Sequence, residues 1–273
     1  MLVERVIQQG RLVFAVAMLA LGAENLACAV LGLSESNVFA GRTVLSVIPW
    51  VPAHAWLGYL TGLILVASAL SIIAGIKPRM MSIVLGSMFL FWTLLRIDTK
   101  FVARTVCFEM LALSGSAFHL AGIVPAEDSF GGPWKPISEG LIKSGRFLFA
   151  ASSIVFGIDH FLFLRFVAGL IPGWIPFHLF WAAFTGAGFI AAGLNIATGW
   201  MARWAGFLLG TMFLLWFLLL HMPRVLGLAG IVGAPHNPNE WSSAFIALAM
   251  CGGSWICAQL RHPKHRSAST VQG

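Results

Sequence analysis

Two carboxylates, Glu24 and Asp159, lie inside long apolar runs, each 13 residues after the arginine, Arg11 or Arg146, that opens its run. In a helix that spacing covers ~20 Å, which is past the midplane of a ~30 Å hydrocarbon core. A charge at such depth costs about 2.5 to 3.5 kcal/mol on insertion scales, so it needs a partner or a purpose. Other polar groups are expected in the same outer third: His54 at the start of a second helix, Arg96 and Asp98 at the end of a third, and Glu109 inside a fourth. Further along the chain are His160 beside Asp159, His178 at the start of a sixth helix and His221 at the end of a seventh. Asp159, His160, His178 and His221 together could ligate a metal or hold a quinone carbonyl, since imidazole is both a common ligand and a hydrogen-bonding group near neutral pH. Neighbours on a helix diverge by about 100°. Asp159, aligned with Glu24, is therefore expected to face the interior, with His160 the less essential of the two. The plainer alternatives are histidines meeting water at helix ends and carboxyls fixed in ion pairs that hold helices together. His119 reads as interfacial, and His236, His262 and His265 as solvated in a loop and the tail.

These groups need helices in lipid to position them. Of 273 residues 59% are hydrophobic and 10% charged, with 22 Phe, 11 Trp and a mean hydropathy of +0.87. A soluble domain carries about 25% charged residues. So few charges cannot build a water-facing shell, and the fold class expected is an all-α integral membrane protein. The net charge of +7 is spread between apolar stretches rather than gathered with stacking aromatics, so nucleic acid is not an expected partner. Lipid is.

Eight stretches are long and apolar enough to cross a bilayer with every backbone amide satisfied internally: residues 12–32, 54–76, 80–98, 104–123, 146–167, 178–199, 203–221 and 241–260. Val124 to Ser144, with Pro125, Gly131, Gly132, Pro133 and Pro136, reads as a linker outside the bilayer. The expected division is a first four-helix unit at 1–123, a cytoplasmic linker at 124–144, a second unit at 145–260 and a basic tail at 261–273. The run Leu12–Ala23 behind Arg5 and Arg11 imitates a secretory signal. Its counterpart in the middle of the chain must be a mature helix, so the same is expected of it.

The two units resemble each other. Shifted by 124 residues, positions 52–95 match 176–219 at 17 of 44 sites, including Pro52/Pro176, His54/His178, Thr61-Gly62/Thr185-Gly186, Gly75/Gly199 and Arg79/Arg203. Leu85-Gly86-x-Met88-Phe89-Leu90-x-Trp92 recurs as Leu209-Gly210-x-Met212-Phe213-Leu214-x-Trp216. Upstream the shift is 135, pairing Gly10-Arg11 with Gly145-Arg146, Gly22 with Gly157 and Glu24 with Asp159. The difference implies about 11 extra residues in the first unit, expected within Ser34–Ser46. An even helix count per unit makes this a parallel duplication about an axis near the membrane normal. Eleven of the 17 Lys and Arg residues fall on the side of the termini, which places both termini in the cytoplasm. Ser82/Gly86 and Gly206/Gly210 are small-xxx-small pairs that allow close helix approach.

Walker, dinucleotide, HExxH, CxxC and nucleophile-elbow motifs are missing from the sequence. Cys28, Cys107, Cys251 and Cys257 lie in apolar segments without metal-type spacing and read as small buried residues. A four-helix unit opening on Gly-Arg, followed by Gly157-Ile158-Asp159-His160-Phe161 or Gly22-Ala23-Glu24-Asn25-Leu26, and then by Gly75 to Arg79 or Gly199 to Arg203, resembles the DoxX-like membrane proteins. The resemblance runs once per unit over nearly the whole chain. The duplication departs from the family's common single unit, and Thr61 and Thr185 stand where an acidic residue is expected. What the resemblance implies is a helical bundle of the bacterial cytoplasmic membrane, linked in some members to quinone-coupled redox pathways. Three readings stay open: support of a membrane redox process through a quinone or a partner oxidoreductase, a small-solute or ion transporter or channel, and a scaffold without chemistry of its own. Whether the protein is an enzyme is left undecided.

Overall fold

A computed structural model describes residues 2–31, 55–95, 101–125, 134–227 and 240–259. Within them the regular structure is all helix: α1 (Leu2–Gln8), α2 (Gly10–Val30), α3 (Ala55–Ala74), α4 (Pro78–Leu95), α5 (Phe101–Ile123), α6 (Trp134–Leu162), α7 (Leu164–Leu170), α8 (His178–Thr198) and α9 (Ala202–Trp216). The last of these passes through a π turn, Phe217–His221, into α10 (Met222–Val225), and α11 (Glu240–Cys257) follows. Among the described residues five helical segments are long and apolar enough to cross a membrane: Leu2–Val30, Arg104–Ile123, Trp134–Leu162, His178–Thr198 and Ala202–Val225. Gly58–Ala74 and Pro78–Leu94 are apolar but shorter. α11 is the most enclosed helix, with Ser242, Gly252, Gly253 and Ser254 among its buried residues, so its small and polar side chains meet protein rather than lipid.

The packing is that of a protein whose outer solvent is apolar. Leu63, Leu70, Phe91, Phe147, Phe166, Phe180, Phe184 and Leu208 all point outward, a density of exposed large hydrophobic groups far beyond the scattered few of a water-soluble surface. Phe14, Phe89, Phe118, Phe149 and Phe189 fill the interior.

Neighbouring helices close into a ring in the order α2, α3, α4, α5, α6, α8, α9, α11 and back to α2, with α5 and α11 also touching across the centre. Glycines make the closest crossings. A Cβ at Gly22 would come within 2.8 Å of Leu65 and Val66, and one at Gly157 within 2.6 Å of the Gly186 carbonyl and 2.5 Å of Ile190. A Cβ at Gly115 would meet the Phe149 amide nitrogen at 2.6 Å, and one at Gly252 the Phe14 Cα at 2.7 Å. Such contacts let α5 lie against α6, and α11 against α2, at backbone distance. Gly75 (φ +72°) and Gly199 (φ +81°) end α3 and α8 in the left-handed conformation that costs glycine least.

One expected boundary moves. The stretch read as a linker up to Ser144 is helical from Trp134, and α6 continues to Leu162. Pro136 sits in its first turn, where no intrahelical N–H bond is lost, so proline content misjudges this segment. The chain then breaks at Phe163 rather than continuing straight to 167. The expected insertion, Ser34–Ser46, lies outside the described residues.

Candidate functional site

Asp159 is buried on α6, and Arg104, at the start of α5, donates from Nη2 to its Oδ1. The Arg104 guanidinium also sits 5.8 Å from the Phe163 ring centroid, so an aromatic face shares the cation. Fifty-five residues separate the two partners, and helix packing alone brings them together. At the corresponding depth of α2, Ser242 at the start of α11 donates to Glu24 Oε1 at 2.6 Å. Asp159 Oδ2 and Glu24 Oε2 are buried without a hydrogen-bond partner among the described residues.

His160 turns away from Asp159 as helical geometry requires, but into protein rather than lipid. It is 9% exposed, stacks on Trp216 at 5.7 Å with planes 13° apart, and lies 5.2 Å from the Phe189 ring centroid. Phe156 and Phe213 each pack edge-on against Phe189. Its Nδ1 is 2.7 Å from the Phe156 carbonyl oxygen. A carbonyl can only accept, so Nδ1 carries the hydrogen and the neutral ring presents a bare lone pair at Nε2. That atom is buried without a partner among the described residues. Asn25, on α2, is fully buried in the same manner: its amide nitrogen donates to Leu21 O at 3.0 Å, and its Oδ1 is left unpartnered among the described residues.

His221 ends the π turn, a geometry often found at functional positions. Its Nδ1 lies 3.7 Å from Glu240 Oε2, and Arg224 Nη1 lies 3.9 Å from Glu240 Oε1. Arg224 Nη2 also donates to Leu170 O at 3.1 Å.

His178 opens α8 after Phe177, whose backbone is left-handed (φ +60°) and whose side chain is exposed. It lines a shallow surface depression with Gly173, Ile175, Pro176 and Phe180. Among the described residues no group of three or more His, Cys, Asp or Glu side chains could hold a metal ion, so Asp159, His160, His178 and His221 form no metal site. Helix packing sends their side chains to different neighbours. Glu109 is half-buried on α5, and His54, Arg96, Asp98, His236, His262 and His265 lie outside the described residues. None of the four cysteines is in a disulfide; three are buried and Cys28 is half-buried.

Glu240, Ser242 and Trp216 escape sequence reasoning as parts of these clusters, and Arg104 enters it only through its charge. A single basic residue opening the helix that precedes the buried carboxylate's unit is the available signal for Arg104. A serine or tryptophan in an apolar run carries no such mark. No protein-family model, curated protein or solved structure matches the chain.

Proposed function

We propose that this protein is a DoxX-like, eight-span membrane protein of two tandem four-helix units, and that it supports a membrane redox process by holding a hydroquinone-class ring at His160. The observation that carries the chemical part is the His160 ring itself. It is clamped by Trp216 and Phe189, its Nδ1 hydrogen is committed to Phe156 O, and its Nε2 lone pair has no partner among the described residues. A lone pair in apolar surroundings favours a ligand that brings a hydrogen-bond donor on a flat apolar body. A ring hydroxyl does both. The Trp216 face lies against the ring, and the Asp159 carboxylate, which Arg104 holds, is the next residue on the helix.

Several contacts support the two-unit reading. The crossing of Gly22 with Val66 recurs as Gly157 with Ile190, residues 135 and 124 further along. Gly115 against Phe149 recurs as Gly252 against Phe14. The basic residues favour a cytoplasmic side for both termini, and the family resemblance points to a bacterial cytoplasmic membrane.

Tetramethyl-1,4-hydroquinone titrated into the purified protein, read by tryptophan fluorescence, tests the chemical reading. Saturable binding is expected, with one component of it lost in His160→Leu. Absence of binding to the unaltered protein would sink the redox reading. A transporter is the second reading, favoured by the enclosed ionisable cluster of His221, Arg224 and Glu240 beside the π turn. Proton or ion flux in proteoliposomes that is lost in Glu240→Gln would support it over both the redox and the scaffold readings.

A further inference from the structure

Asn25 and His160 have the same hydrogen-bonding arrangement on different helices. Each donates a side-chain N–H to the carbonyl four residues earlier, Leu21 O at 3.0 Å and Phe156 O at 2.7 Å. Each then presents a buried acceptor, Asn25 Oδ1 or His160 Nε2, without a partner among the described residues. The amide orientation of Asn25 follows from the chemistry, because a carbonyl accepts only from the NH2 side. The residues stand 135 positions apart, as do Leu21 and Phe156, and as do the glycines three residues before each, Gly22 and Gly157. Gly22 lies against Leu65 and Val66, and Gly157 against Ile190, so both residues sit beside the same kind of helix crossing. The positions 124 before Phe189, Phe213 and Trp216 are Leu65, Phe89 and Trp92, all of them buried.

A fully buried amide oxygen without a donor is costly, and proteins rarely retain one without a reason. A core position needing only volume would be filled by leucine. Two such acceptors in equivalent places, one packed against Trp216 and Phe189 and the other beside the Gly22 crossing with Leu65 and Val66, are a repeated device rather than two accidents of packing.

We propose that Asn25 marks a second binding site, taking the same class of ligand as His160: a flat apolar ring that donates a hydrogen bond from a hydroxyl. This rests on the reading of the His160 site given above. The two sites differ in one respect. An amide oxygen accepts a hydrogen bond but takes up no proton near neutral pH, whereas imidazole does both. The first unit therefore binds the hydroxyl form only, and the second can also receive its proton. Both prefer the reduced ring, since the oxidised ring and its dimethyl ether offer acceptors to acceptors.

The test is the stoichiometry of tetramethyl-1,4-hydroquinone bound to the full chain in detergent, by equilibrium dialysis. Two equivalents are expected for the unaltered protein, one for Asn25→Leu, one for His160→Leu, and two for Asn25→His, which installs the second unit's residue. The dimethyl ether should bind at least tenfold more weakly than the hydroquinone at both sites. Melting temperature and elution volume of Asn25→Leu, matched to the unaltered protein, keep a folding failure from imitating site loss. If Asn25→Leu does not fold, Asn25→His carries the test, because binding to it must stay at two equivalents and become proton-sensitive at both. One equivalent, lost in His160→Leu and indifferent to Asn25, would overturn this inference while leaving the function reading intact. No binding at all would overturn both.

Discussion

Arg79 donates from Nη2 to Glu139 Oε1 at 2.5 Å, tying the start of α4 to the first turns of α6 across 60 residues of chain. Arg203, 124 residues after Arg79, donates in the same way to Glu4, 135 residues before Glu139. The two pairs stand at the opposite end of the helices from Glu24 and Asp159. The Arg79 side chain is 16% exposed and that of Arg203 56%. Exposed pairs are worth about 0 to 1 kcal/mol. Arg79→Ala is therefore expected to lower the melting temperature in detergent more than Arg203→Ala does. Equal losses would show that burial does not separate the pairs.

Gly115 and Gly252 allow α5 to touch α6, and α11 to touch α2, where an added Cβ would press on the backbone of Phe149 or Phe14. Gly115→Ala and Gly252→Ala should each destabilise by about 1 to 3 kcal/mol. At Gly140, on α6, an added methyl group would meet nothing within 4 Å, so Gly140→Ala is expected to be neutral or to stabilise by about 0.5 to 1 kcal/mol. Circular dichroism melts of the three variants make the comparison, and a neutral Gly252→Ala would show that the helices can separate at no cost.

Replacing Asp159 by asparagine keeps its shape but strands the Arg104 cation, with an expected cost on the order of 3 kcal/mol for a largely enclosed pair. Adding Arg104→Gln should recover part of that loss. A double-mutant cycle in chemical denaturant measures the coupling. Strict additivity would mean that the two groups do not act as a pair.

Reporter fusions at Gly273 and Pro133 are expected to report cytoplasm, and one at Gly233 the outside, because the proposed eight-span topology puts eleven basic residues on one side and six on the other. A periplasmic signal at Gly273 would overturn the proposed even number of spans.

Much of the helical architecture is legible before any folding is considered. Backbone amides in lipid must bond within their own segment, so apolar runs between Gly or Pro positions become helices, and α8 begins at His178, where the apolar pattern starts. Gly75 and Gly199 announce helix ends because the left-handed backbone they adopt is a local property. Depth along a helix is equally local, which is why 13-residue spacings alone place Glu24 and Asp159 at one level.

Local rules fail where a neighbour, rather than the segment itself, decides. Pro136 suggests a loop, but in the first turn of α6 it costs the helix no hydrogen bond. Its place beside an inward-facing Asp159 ranks His160 as the lesser residue, yet on its own side it meets Trp216 and Phe189. Residue type and depth group His178 with His160 and His221, but the break at Phe163 and the turn through Phe177 set it at a surface depression.

Composition and periodicity determine that this chain forms apolar helices and how far along its helix each ionisable group lies, because those depend only on the residues of one segment. Which group meets which was decided by tertiary packing. Arg104 reaches Asp159 over 55 residues, and Ser242 reaches Glu24 over 218, only because glycine contacts bring α5 to α6 and α11 to α2. A helix fixes the direction of a side chain about its own axis, but the azimuth and partner of that axis come from the fit of whole helices against one another.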